Sequence, residues 1–250
     1  MTETAINSAD EHAPDQGHVA HQFDDAVQQR EAATLGMWAF LATEVLFFGG
    51  LFTGYTVYRF RNDLAFATAS HQLSELLGAI NTAVLLCSSL TMAMAVRAAH
   101  RNEPKPLAGY LIATCVLGLA FLGIKAIEWT HDYHEHLIPK ISWAPTEDAA
   151  RKQKVENAAE RLAEIEKYPA PPTLLVISRM ELFFVFYFIM TGLHGLHMVV
   201  GAVMVGGLVV LVLRGRFGPR HANTVEMIGL YWHFVDIVWI FLFPMLYLVK

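Results

Sequence analysis

From Leu182 to Leu213 the chain runs for 32 residues without an Asp, Glu, Lys or Arg. Coiled as an α-helix, that run is about 48 Å long at ~1.5 Å per residue, against ~30 Å for the hydrocarbon core of a bilayer. It exceeds a perpendicular span, so it predicts a membrane helix that tilts or projects. Four further windows reach spanning length, which gives five expected spans at about residues 35–58, 75–97, 106–130, 180–213 and 226–249.

Composition agrees with this reading. Charged residues make up 16% of the chain, against about 25% in ordinary soluble domains, and mean hydropathy is +0.38. The expected fold is all-α, a polytopic membrane bundle of five transmembrane helices. A polar tail over residues 1–32 precedes a membrane domain over residues 33–250. The net charge of −5 does not suggest nucleic acid. Cys87 and Cys115 form no CxxC and no metal spacing, so they read as packing residues. Residues 1–30 are polar and acidic, unlike a signal peptide, and are expected to be disordered or ordered by a partner. Insertion is then led by the first membrane helix.

Basic residues set the orientation. With the N-terminus in the cytoplasm, the inner segments hold seven: Arg30, Arg97, Arg101, Lys105, Arg214, Arg216 and Arg220. The short outer segments hold three: Arg59, Arg61 and Lys250. The expectation is N-terminus cytoplasmic, C-terminus outside. Residues 131–179 form an outer-face loop, opening with HDYHEHLIPK and closing with YPAPP. Its middle is a strong helix former, with Val155, Ala158, Leu162 and Ile165 on one stripe. That helix docks either on a partner or on its own bundle.

Few polar residues lie at depth. Glu44 is the one carboxylate in MWAFLATEVLFFGGLF, Met37 to Phe52, where an isolated charge costs roughly 2.5–3.5 kcal/mol or more. His194 and His197 share a face of the fourth span at i, i+3, as do His233 and Asp236 in the fifth. The pattern predicts a buried polar network in which imidazoles and carboxylates lower one another's burial cost. From the residues alone the histidines have two readings. One is haem ligation, with His194 or His197 opposite His233, as in a di-haem b-type electron-transfer anchor. The other is structural hydrogen bonding. Lys125 and Glu128 read as an interfacial ion pair with a snorkelling stem. Glu181 and Glu226 read as acids opening the fourth and fifth helices. Trp129, Trp143, Tyr231 and Trp232 read as an interfacial aromatic belt. The second span carries Gly78, Asn81, Thr82, Cys87, Ser88, Ser89 and Thr91, small and hydroxyl residues suited to close helix approach. No nucleotide loop, nucleophile elbow or zinc set is visible.

Together these segments resemble subunit III of the haem–copper respiratory oxidases, the cytochrome c oxidase subunit 3 family. The resemblance rests on GMWAFLATEVLFFGGLF (Gly36–Phe52), LGAINTAVLLCSS (Leu77–Ser89), IKAIEW (Ile124–Trp129), TGLHGLHMVVG (Thr191–Gly201) and YWHFVDIVWIFLF (Tyr231–Phe243), in the family order. It implies a non-catalytic subunit of a proton-pumping terminal oxidase that reduces O₂ to water, with cytochrome c as the expected donor. This chain would carry no cofactor. Haem and copper would sit in partner subunit I and copper in subunit II, and bound phospholipid is expected.

The resemblance matches Glu44 to the family's carbodiimide-reactive glutamate and Glu128 to the glutamate of the third span. It matches His194, His197, Glu226, His233 and Asp236 to motif residues of the last two helices. Glu44, His194 and Arg214 are the expected lipid contacts. Partners would be subunits I and II in a bacterial cytoplasmic membrane, with a cytochrome c or a supercomplex partner at the 131–179 loop. A quinol oxidase or an accessory subunit of nitric oxide reductase is the alternative within the same ancestry. Three departures stand out. The first two of the seven spans found in many members are missing, Thr53 stands where the family often has Trp, and the outer loop is an insertion.

Overall fold

The computed structural model describes residues 22–144, 149–166, 172–218 and 221–249. Among them lie seven helices and no strand: α1 Ala26–Arg61, α2 Asp63–Ser70, α3 Glu75–His100, α4 Pro104–His134, α5 Ala149–Glu166, α6 Pro172–Leu213 and α7 Ala222–Tyr247. Five of them, α1, α3, α4, α6 and α7, are long and apolar enough to cross a membrane, so the all-α expectation with five spans holds. The chain divides into two units, residues 1–43 and 44–250.

In the first unit, the part of the expected polar tail over residues 1–21 lies outside the described residues. The start of α1 is fixed locally. Gln28 N–H donates to Asp25 Oδ1 and Asp24 N–H to Gln28 Oε1, each at 2.7 Å. That reciprocal arrangement resembles a capping box.

In the second unit, α1 turns a stripe of Glu44, Phe48, Leu51, Phe52 and Tyr55 inward. Val45, Leu46, Phe47, Val57 and Phe60 face outward. The main contacts join α3 to α4 and α7, α6 to α4 and α7, and α5 to α6 and α2. Trp232 of α7 sits at the junction. Its indole lies against Gly118 of α4 and Gly201 of α6, where an added Cβ would come within 2.7 and 3.0 Å of the ring. Its Nε1–H donates to Ser88 Oγ of α3 at 3.0 Å. Trp232 and Tyr231 are therefore core residues, 1% and 4% exposed, which corrects their reading as an interfacial belt.

Three helices end in the same way. Asn102, His136 and Gly215 take positive φ of 56°, 53° and 67°. The next N–H reaches back to the carbonyl five residues earlier: Glu103 to Ala98, Leu137 to Asp132, and Arg216 to Leu211. These are Schellman ends, satisfying carbonyls that a helix terminus leaves open. The end of α7 is closed from elsewhere. Tyr55 Oη–H donates to the Met245 carbonyl, and Ser70 Oγ–H to that of Leu246 at 2.8 Å.

At 42 residues α6 is about 63 Å long. It starts at Pro172, before the expected span, and this extension seats α5. Val155, Ala158, Ala159 and Leu162 are buried there. The loop helix thus lies on its own bundle; the Ile165 side chain lies outside those described. Because α6 starts so early, Glu181 is interior to it, accepting from the Lys140 N–H at 3.2 Å. Glu226 likewise sits one turn inside α7. Neither opens its helix as expected.

Candidate functional site: three polar joints

The first joint links α1 to α6. Glu44 Oε2 lies 3.2 Å from His197 Nε2, although off line for a well-formed hydrogen bond. The other ring nitrogen, Nδ1, is 2.8 Å from the Leu193 carbonyl. A carbonyl only accepts, so Nδ1 carries a hydrogen. Nε2 then either accepts from a carboxylic acid or donates to a carboxylate. Tyr231 Oη–H donates to the His197 carbonyl at 2.9 Å, and Phe48 packs edge-on to the imidazole. Glu44 thus faces its own bundle.

His194, one turn away, does not join this pair through a hydrogen bond. Buried to 1% exposure, it packs against Phe121 and Trp239, and neither ring nitrogen has a partner among the described residues.

The second joint ties α4, α6 and α7. Lys125 Nζ donates to Glu128 Oε2 at 3.0 Å, Tyr187 Oη at 2.9 Å and Tyr247 Oη at 2.7 Å, which uses all three ammonium hydrogens. Tyr247 passes its own hydrogen to Glu128 Oε1, and Tyr187 donates to Asp132 Oδ2 at 3.0 Å. The ammonium also sits 4.5 Å from the Tyr187 ring centroid. Lys125, Glu128 and Asp132 are 6%, 3% and 3% exposed. The interfacial, snorkelling reading of Lys125 and Glu128 is corrected: the pair is interior. Asp132, Tyr187 and Tyr247 escape a sequence reading because they sit near the ends of apolar windows. The i, i+3, i+7 spacing of Lys125, Glu128 and Asp132 is the one signal that marks them.

The third joint crosses α3 and α7. Ser89 Oγ is 2.7 Å from His233 Nδ1. Asp236 is 3% exposed, and neither carboxyl oxygen has a hydrogen-bond partner among the described residues. His233 and Asp236 share a helix face without bonding each other. Glu226 stands apart, half-exposed and 3.3 Å from His100 Nε2. Arg214 follows the last residue of α6. It lies 20 residues, about 30 Å along the helix axis, from His194. Glu44 and His194 therefore do not share one compact site with it.

The fold and these joints define a class: a helical protein with five helices long and apolar enough to cross a membrane, in which Glu44 and the Lys125–Glu128–Asp132 cluster meet side chains of other helices. The sequence pattern of cytochrome c oxidase subunit III matches residues 173–250. A Bacillus subtilis (strain 168) relative named quinol oxidase subunit 3 is 27% identical over 237 residues, covering 92% of this chain and 96% of the relative. A Staphylococcus aureus (strain USA300) relative named "Probable quinol oxidase subunit 3" is 25% identical over 234 residues, covering 93% and 96%. Over its last third by the family pattern, and over nearly its whole length by these two relatives, the chain is similar to subunit III of the haem–copper oxidases.

Proposed function

We propose that this chain is the non-catalytic subunit III of a proton-pumping oxidase that takes electrons from a quinol and reduces O₂ to water. Its place would be a bacterial cytoplasmic membrane, with the N-terminus inside as the basic residues favour. The names of the two relatives support a quinol over cytochrome c as donor. The donor and the redox centres would belong to partner subunits. The observation that carries the chain's own role is the Glu44–His197 pair, which joins α1 to α6 at 3.2 Å. A helix whose apolar surface lies largely on the outside is pinned there by few polar contacts. On this reading Glu44 rigidifies the bundle and supports sustained proton uptake indirectly, by holding subunit I in a turnover-competent form.

The test is affinity purification of the chain in mild detergent, followed by O₂-consumption assays with a quinol and with reduced cytochrome c. Co-elution of haem- and copper-bearing chains with quinol-driven consumption is expected. Consumption driven by cytochrome c alone would refute the donor assignment. A chain that elutes without any haem protein would refute the function.

A further inference from the structure

Four of the long helices form a ring: α3 packs on α4, α4 on α6, α6 on α7 and α7 on α3. Helices α3 and α6 are therefore diagonal to each other. Each of the four sends one side chain into a shared layer: Asn81, Phe121, His194 and Trp239, each 0% or 1% exposed. Phe121 and Trp239 meet edge-on at a centroid separation of 4.8 Å, and the His194 imidazole packs 5.5 Å from the first ring and 5.1 Å from the second. Asn81 reaches the same place from α3, with Nδ2 3.5 Å from the Phe121 carbonyl. The layer is deep, since Phe121 lies 13 residues, about 20 Å, from the nearer end of α4.

Three polar atoms of this layer have no hydrogen-bond partner among the described residues: both ring nitrogens of His194, and Oδ1 of Asn81. The amide orientation is fixed, because a carbonyl only accepts and so takes the Nδ2 end of Asn81. Oδ1 is left needing a donor. A neutral imidazole carries one N–H and one bare nitrogen, so in either tautomer His194 needs one acceptor and one donor. The donors around it are already committed. Trp239 Nε1–H goes to Thr82 Oγ1 at 3.0 Å, and the Thr82 hydroxyl donates to the Gly78 carbonyl at 2.8 Å. Lys125, whose ammonium lies 5.5 Å from the Trp239 ring, spends all three hydrogens on Glu128, Tyr187 and Tyr247. Buried polar groups left bare in this way are costly.

We propose that this layer is an internal water site, in which His194 and Asn81 Oδ1 hold water between the diagonal helices α3 and α6. Water both donates and accepts, so the assignment is the same for either tautomer of His194. It is also small enough to lie wholly inside a layer closed by Phe121 and Trp239, where a lipid headgroup is not. Three unpartnered polar atoms match the two to four partners that a buried water takes.

The test is X-ray hydroxyl-radical footprinting of the detergent-purified complex, read by mass spectrometry on this chain. The radicals form from water and react with the side chains beside it, so a buried ring is labelled only where water lies next to it. Phe121 should be labelled although it is 0% exposed. Phe66, equally buried and packed against Tyr55 and Phe183, should not be. His194→Leu leaves the water too few partners and should bring Phe121 down to the Phe66 level. His194→Gln, whose amide both donates and accepts, should keep the label. A wild-type Phe121 labelled no more than Phe66 overturns the proposal, whether or not the variants fold. A label that survives His194→Leu overturns it as well. The readout needs no electron donor, so it stands apart from the proposed function: a chain that purifies without haem refutes that function and leaves this test intact.

Discussion

Replacing Lys125 with Met isolates the energetics of the second joint. The methionine keeps an unbranched stem of similar length and removes the ammonium, together with its bonds to Glu128, Tyr187 and Tyr247. The Lys125 and Glu128 side chains are only 7% and 4% exposed, so water does not replace the lost partner. Breaking a buried ion pair from one side costs about 3–5 kcal/mol, because the remaining charge stays buried and uncompensated. At roughly 2–4 °C per kcal/mol for a chain of this size, the thermal midpoint should fall by about 6–20 °C. The assay is helix loss by circular dichroism on the detergent-purified complex. The double variant Lys125→Met/Glu128→Gln removes the stranded charge while leaving Tyr247 an acceptor. It should recover at least half of the loss, a coupling that only direct neighbours show. A single variant within 2 °C of wild type, or a double variant no better than the single, would refute the reasoning.

Glu44→Ala should leave haem content and initial turnover intact but shorten the active lifetime during turnover, whereas Glu44→Gln, whose amide can donate to His197 Nε2, should decay nearly as slowly as wild type. An unchanged lifetime for the alanine variant counts against the α1–α6 joint. Gly118→Ala should lower the thermal midpoint, because its Cβ would come within 2.7 Å of Trp232. Overpacking of about 1–3 kcal/mol outweighs up to ~1 kcal/mol of helix propensity. Adding Trp232→Phe, which removes that ring edge, should relieve the clash; a drop that persists points to another cause. Glu226→Ala breaks a half-exposed pair with His100 and should shift the midpoint by no more than about 2–4 °C, as its value of at most ~1 kcal/mol implies.

The five spans were legible because hydrocarbon imposes a crude rule, length without charge, that windows such as Leu182–Leu213 satisfy without tertiary knowledge. Three of the helix ends take positive φ at Asn102, His136 and Gly215, and of these residue types glycine and asparagine adopt that region most readily. Pairing was the part hidden from periodicity. That Glu44 meets His197 is a relation between α1 and α6, separated by about 150 residues. The i, i+3 rule put His233 with Asp236, whereas the bond His233 makes is to Ser89 on another helix. Trp232 looked interfacial from its place near a window edge. Its burial depends on Gly118 and Gly201 lying opposite it, and a single helix does not encode that.

In a bilayer the space between helices and the lipid around them are equally apolar, so burial of Leu or Val does little to choose one helix pairing over another. Close packing at small residues and polar bonds have to make the choice. Here they fall at different places on the bundle: Glu44–His197 for α1 with α6, the Lys125 cluster for α4 with α6 and α7, and Ser88 with Trp232 for α3 with α7. Each is a discrete contact with a defined geometry, so each rejects a neighbouring register that a greasy seam would tolerate. For a subunit whose proposed task is to keep a catalytic neighbour in one conformation, such joints do the work that a redox centre does elsewhere in the complex. Their loss should therefore appear as shortened working life well before it appears as lost chemistry.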